Sequence, residues 1–396
     1  MQKKGAMIIS LRLKNFFSLG DEVVLDFTAE SMNHGKGEFL RRNLIDFNGD
    51  KFVNIIGLFG SNAAGKSNVI KAVEFCRNLI LNSHQFNEGD VYDFEPFKFE
   101  GDKPSEFSVN YEWEGIEYEY SFQLTKEKIL KESLYYYPNK RRAKVFIREN
   151  TDVYEFRKGA IRRPNEVALN TGPRTLFISR ASSMNRPLAQ LVYKFFQEGM
   201  TIGVGKLEFT KSMISDIERH KDVLVKALEV SDTDIIDFQI EEFIPGQYIL
   251  HTFHKENPLL AFDFEKEESE GTKRLFFILL YLIRTSQSDT TIFFDEFDLK
   301  LHVRLAEFLL EAVRVSRKSQ LVFTSHNPTL INRNLLRDEQ IVMVTKQSDG
   351  KTELIPLSDY EGIDKIKDIQ SAYLQGRFDA IPYIGDVNAL FEPTDR

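Results

Sequence analysis

Residues Gly60-Ser61-Asn62-Ala63-Ala64-Gly65-Lys66-Ser67 fit G-x-x-x-x-G-K-[ST], the spacing of a phosphate-cradling P-loop. Each residue type has a task in that chemistry. The two glycines let the chain curl so that successive N–H groups face phosphate oxygens. The N-terminus of the helix that follows, near Asn68, adds partial positive charge. Lys66 reaches the β- and γ-phosphates, and the Ser67 hydroxyl is placed for Mg²⁺. The context agrees: an apolar, strand-like stretch (Phe52–Phe59) precedes the loop and a helix-like stretch (Asn68–Leu81) follows it. Residues 60–68 are therefore expected to hold a nucleoside triphosphate with Mg²⁺. No N-K-x-D motif for reading guanine occurs, so the expected nucleotide is ATP.

Three further clusters suit the same chemistry. Thr290–Glu296 is an apolar strand ending in two acids, which delivers carboxylates to the C-terminal edge of a sheet, where α/β folds bind ligands. Asp295 suits Mg²⁺ coordination through water, and Glu296 suits a general base acting on the attacking water. The next apolar strand runs into His326, whose ring can hydrogen-bond a γ-phosphate. Upstream, Ser269-Glu270-Gly271-Thr272 opens an apolar helix. Ser269 can cap it and Gly271 permits close backbone approach.

These side chains need elements to carry them. Strands are expected at Met7–Leu13 and Val23–Phe27, with a polar stretch over 29–50. Phe107–Trp113 and Ile116–Leu124 alternate around Glu114-Gly115, a hairpin signal, and Leu134–Tyr137 and Lys144–Phe156 read as further strands. Ser179–Ser231 has helical periodicity, and Ile235–Phe264 alternates like strands. The last third alternates helix (Gly271–Ser286, Val303–Ser316) with strand (Thr290–Phe294, Gln320–Thr324, Gln340–Thr345), the order of a mainly parallel α/β sheet.

The net charge of −8 argues against non-specific nucleic-acid binding over the whole surface but leaves a local basic groove open. The most basic stretch combines Lys140, Arg141 and Arg142 with Arg157, Lys158, Arg162 and Arg163. It is either a phosphate-binding patch or a solvated hairpin edge. The single cysteine, Cys76, permits neither an internal disulfide nor a zinc site. Together with the absence of an 18-residue apolar run or a signal segment, this gives a cytoplasmic chain off the membrane as the expectation.

In this order, the P-loop, the S-x-G-T helix start, the DE-ended strand and the T-S-H strand resemble the ABC-type ATPase heads of SMC, RecF and OLD-like proteins. The chain is more closely similar to compact bacterial AAA15/AAA21 ATPases, including abortive-infection proteins of RloA/AbiLi type and the PARIS ATPase AriA. Leu11–Ser18 resembles their opening motif, Glu296–His302 their acidic-strand motif, and Tyr373–Pro382 their C-terminal motif. The resemblance implies an α/β P-loop NTPase of ABC/SMC-head type: a mixed sheet core, an N-terminal antiparallel β part and an inserted helical region. The implied division is an N-terminal lobe (1–175), a helical insert (176–235) and a C-terminal lobe (236–396). It further implies a homodimer or higher homo-oligomer joined through its ATP sites, with Ser269, Gly271 and Thr272 acting on the nucleotide held by the partner. Arg12, Lys14 and Asn15 would flank the base.

The implied role is antiphage defence, with DNA or a phage protein as trigger and a separate effector, a Toprim-type nuclease or a toxin. A RecF-like repair ATPase and an ATP-dependent assembly scaffold remain the alternatives. The sequence departs from the family in reading SEGT at the signature and Val303 after His302. Gln123 does not fit a Q-loop glutamine.

Overall fold

The computed structural model describes residues 5–30, 38–87, 90, 92–203, 209–231, 233–286, 289–316, 319–382 and 384–386. Along the chain, β1 (Ala6–Lys14) and β2 (Val23–Asp26) form the first hairpin, and β3 (Leu44–Phe47) with β4 (Asp50–Val53) a short ribbon. β5 (Ile55–Phe59) ends at the P-loop, which leads into the helix Lys66–Asn82. β6 (Ser105–Trp113), β7 (Ile116–Leu124), β8 (Ile129–Tyr136), β9 (Ala143–Glu149) and β10 (Val153–Phe156) then meander. Short helices lead to β11 (Met200–Gly203), and two more precede β12 (Ile235–Ile244), β13 (Gln247–His254) and β14 (Asn257–Asp263). The helix Glu270–Ser286, β15 (Thr291–Phe294), the helix Val303–Ser316, β16 (Gln320–Ser325), β17 (Ile341–Lys346) and β18 (Thr352–Pro356) follow.

The central sheet runs β11-β15-β16-β5-β17-β18, parallel except for β18 at its edge. Its middle strands are apolar throughout because both faces are covered. Alternate residues still serve different cores, since successive side chains point to opposite faces. Ile56, Leu58, Phe293, Val322, Val342 and Val344 face the N-terminal core. Ile55, Phe59, Ile292, Phe294, Leu321, Phe323, Ile341 and Met343 face the C-terminal core. The sheet is thus the wall between two cores. On its N-terminal side lies the seven-stranded sheet β10-β9-β8-β7-β6-β1-β2, and β12-β13-β14 form a separate antiparallel sheet near the helix Glu270–Ser286. This is the expected α/β P-loop architecture with an N-terminal antiparallel part.

Several expectations need correcting. The stretch Phe52–Phe59 is two strands, not one: β4 pairs with β3, and the chain breaks at Asn54 before β5 enters the central sheet. The polar stretch 29–50 contains β3, whose two-stranded ribbon is too short to show alternation. Lys144–Phe156 is a hairpin, turned at Asn150 and Thr151, both in left-handed conformation. The helical stretch 176–235 contains β11, which pairs in parallel with β15, so it contributes a strand to the central sheet. The Glu114-Gly115 hairpin forms as expected, both residues with φ near the left-handed region (54° and 85°).

Candidate functional site

The P-loop leaves β5 with Gly60 pressed against the neighbouring strand β17. A Cβ on Gly60 would lie 2.2 Å from the Val344 carbonyl oxygen, so only glycine fits. Gly65 has φ 108°, and a Cβ there would meet Thr352 Oγ1 at 2.0 Å. That hydroxyl donates to the Ala64 carbonyl (2.8 Å) and lies 2.7 Å from Ser18 Oγ, which in turn accepts from Asn68 Nδ2 (2.7 Å). The loop is therefore braced from outside by β18 and by the turn after β1. Asn68 is drawn into that bracing.

Lys66 is buried and folds back over the loop, donating to the carbonyls of Gly60 (2.8 Å) and Ser61 (2.9 Å). Burial pushes its pKa down to about 8, with Asp295 and Glu296 opposing the drop. His326 presents Nδ1 3.3 Å from the Lys66 ammonium. Burial, then the Lys66 charge, lowers the His326 pKa below its usual value. The neutral ring with its proton on Nε2 is the form that suits this contact.

The acid pair is set by two neighbours to which the sequence motifs assign no role. Thr324, buried at the end of β16, donates from Oγ1 to Asp295 Oδ1 (2.6 Å) and accepts from the Glu296 N–H (2.7 Å). Arg274, buried on the helix Glu270–Ser286, donates from Nη2 to the carbonyls of Asp295 (2.7 Å) and Glu296 (2.8 Å). Between them they hold Glu296 at φ 49°, an uncommon conformation for a non-glycine residue, with its side chain exposed. Thr324 was visible within T-S-H but not its contacts. Arg274 carried no signal beyond a basic residue in a helix.

Ser67 Oγ donates to Asp295 Oδ1 at 3.0 Å, joining the two sequence-predicted metal residues across 228 positions. Two converging oxygens at the end of the P-loop fit Mg²⁺, which takes few protein ligands and completes its shell with phosphate and water. When bound, Mg²⁺ would neutralise charge on the phosphates. Among the described residues no cluster of three or more His, Cys, Asp or Glu could hold a metal alone.

The signature turn lies on the surface. Ser269 Oγ accepts from the Thr272 N–H (3.0 Å) and contacts its hydroxyl (2.8 Å), which is N-capping of the helix as expected. Gly271 packs on the carbonyl of Lys300, 2.8 Å from where a Cβ would sit, and Lys300 Nζ pairs with Glu270 at 3.2 Å. Ser269, Glu270, Glu296 and Leu299 are exposed.

The other residues singled out by sequence have partners within the chain. Asn15 is buried and donates to the Lys103 carbonyl (2.7 Å), while Arg12 pairs with Glu22 and Lys14 with Glu106. Gln123 bonds Glu106 on the N-terminal sheet. Within the basic stretch, Arg142 pairs with Glu119 and stacks 3.6 Å over Tyr135, Lys140 pairs with Asp50, and Arg163 with Glu166. His302 Nδ1 accepts from the Arg304 N–H, and Val303 takes the first helical position, where proline is merely favoured. Tyr373, Phe378 and Ala380 are buried in the C-terminal core. Cys76 is buried, which pushes its thiol pKa up. Among the described residues no helix is long and apolar enough to cross a membrane.

A family described as "AAA domain, putative AbiEii toxin, Type IV TA system" matches residues 55–332, a span from β5 past His326. Among solved structures, the chain is similar to an SMC head bound to the C-winged helix domain of ScpA (13% identity, 88% of this chain and 97% of that chain, TM-score 0.48). It is also similar to the SMC head domain from Thermotoga maritima (13% identity, 88% and 98%, TM-score 0.41). No curated protein matches the sequence.

Proposed function

The chain belongs to this AAA domain family, an ATP-hydrolysing P-loop enzyme, and we propose that it hydrolyses ATP at sites shared between two copies, as the regulatory ATPase of an antiphage defence system. The observation that carries the shared site is the exposure of Glu296 beside the buried Lys66. A general base works best where bulk water is excluded. A second copy can supply that cover, and its exposed signature turn is suited to do so. In that assembly Lys66 neutralises the transferred phosphate and Glu296 takes the proton of the attacking water. Ser67 and Asp295 would hold Mg²⁺, and His326 contacts the terminal phosphate. Ser269, Gly271 and Thr272 approach it from the second copy. The defence role draws support from the family's description as AbiEii-type; a separate nuclease or toxin would be the effector, and DNA or a phage protein the trigger.

Complementation tests the shared site. Gly271→Asp should bind ATP yet not hydrolyse it, and Lys66→Ala should do neither. A mixed dimer contains one site with both defects and one with none. Activity regained on mixing, after subunit exchange, is the expected result. Normal hydrolysis by Gly271→Asp alone refutes the shared site. The defence role is tested by phage plating on cells carrying the native locus. Protection that survives Lys66→Ala would remove the ATPase from it.

A further inference from the structure

Glu268 precedes the signature turn and stands apart from its acidic neighbours. Glu265, Glu267 and Glu270 are exposed, whereas the Glu268 side chain is only 8% exposed. Burying a carboxylate is costly unless hydrogen bonds compensate. The compensation comes from β13. Thr252 Oγ1 donates to Glu268 Oε1, and His254 Nε2 lies 2.8 Å from the same oxygen. Thr252 is itself fully buried.

The flanking segments are fixed independently. Asp263 caps the turn of helix Phe264–Glu267, and Phe264 is buried in the C-terminal core. Lys273 Nζ donates to the Glu265 carbonyl (2.9 Å). Glu268 is the extended residue (φ −78°, ψ 151°) between that turn and the signature helix, so the anchor of its side chain on β13 lies directly before the point where Ser269 leaves. Helix capping does not require an acid here, since Asp263 and Ser269 already cap the two helices.

We propose that Glu268 is a positioning residue for the signature turn: gripped by Thr252 and His254, it makes the sheet β12-β13-β14 the platform that presents Ser269 and Gly271 to a second copy. This rests on the shared-site reading above.

The test uses the full-length chain. Glu268→Leu removes the acceptor while keeping the size. Its kcat should fall by at least about tenfold, equivalent to ~1.4 kcal/mol, with KM and ATP affinity within about twofold of wild type. Glu268→Gln keeps an acceptor oxygen and should restore most of kcat. Thr252→Val, a milder change, should lower kcat in the same direction, and adding it to Glu268→Leu should cost little more. Gly271→Asp is run alongside. Wild-type kcat in Glu268→Leu with an inactive Gly271→Asp overturns the positioning role alone. Activity in both variants overturns the shared-site reading. Loss of ATP affinity in parallel with kcat, with no rescue by Glu268→Gln, makes Glu268 a folding residue and also overturns the proposal.

Discussion

Thr324→Val removes one oxygen from a buried position and leaves the shape of the side chain intact. That oxygen donates to Asp295 Oδ1 and accepts from the Glu296 N–H. A hydrogen bond to a charged group contributes about 1.5–3 kcal/mol, and a buried N–H left without a partner costs about 1–3 kcal/mol. The sum is an upper bound, because Asp295 keeps Ser67 and both carbonyls keep Arg274. About half of it, ~1–3 kcal/mol, is the expected loss of stability, which at ~2.1 cal/mol/K of unfolding entropy per residue over 396 residues lowers Tm by about 1–4 °C. The larger effect falls on turnover. Glu296 sits in the left-handed region, which costs a non-glycine residue about 1–2 kcal/mol, so losing an anchor lets it relax and carries the carboxylate away. A displacement of about 1 Å costs on the order of 10²-fold in rate. Steady-state ATPase assays should therefore show kcat down by about 10²-fold, while calorimetric ATP affinity stays within about threefold. Thr324→Ser keeps the hydroxyl and should behave as wild type. A Thr324→Val protein with reduced Tm but undiminished kcat would refute the claim that this hydroxyl positions the base.

Glu296→Gln should bind ATP but turn over about 10²–10⁴-fold more slowly, and accumulate an ATP-bound assembly visible by light scattering. Unchanged turnover would assign the base elsewhere. Phosphate favours charged Lys66, whose pKa of about 8 lies below its ordinary 10.5. ATP affinity should thus weaken as pH rises through 8, by up to about tenfold per unit, and Lys66→Arg should flatten that profile in fluorescence titrations. For folding the sign is opposite: between 8 and 10.5 the unfolded chain binds the extra proton, so this group makes stability rise with pH there. In the N-terminal core, Glu132 accepts from the N–H groups of Phe177 and Ile178 beside fully buried Arg148. Glu132→Leu strands that guanidinium and should lower unfolding free energy by about 3–5 kcal/mol in urea titrations, whereas Glu132→Leu with Arg148→Met should recover much of the loss.

The residues proposed to do the chemistry were legible in the sequence because such a function fixes local spacing. A P-loop needs its glycines, lysine and serine within eight positions. A catalytic acid pair must stand at the end of a buried strand, and such a strand advertises itself as an unbroken apolar run. Ser67, Asp295 and His326 could each be named, and their convergence at the end of parallel strands followed from the alternation of strand and helix in the last third. The strand β11 within a helical stretch could not be read, since four residues at a sheet edge are too few to show a period. What tertiary structure alone decided are the contacts between residues far apart in the chain. Thr324 holding Asp295 and Glu296, Arg274 bridging from another helix, Thr352 bracing the P-loop and Glu268 anchored on β13 all depend on atoms brought within about 3 Å by folding. Hydrogen bonds of that kind leave no periodicity in the sequence: one hydroxyl or one guanidinium at the right depth satisfies them, and the side chain reads as an ordinary core or surface residue until its partner is in place.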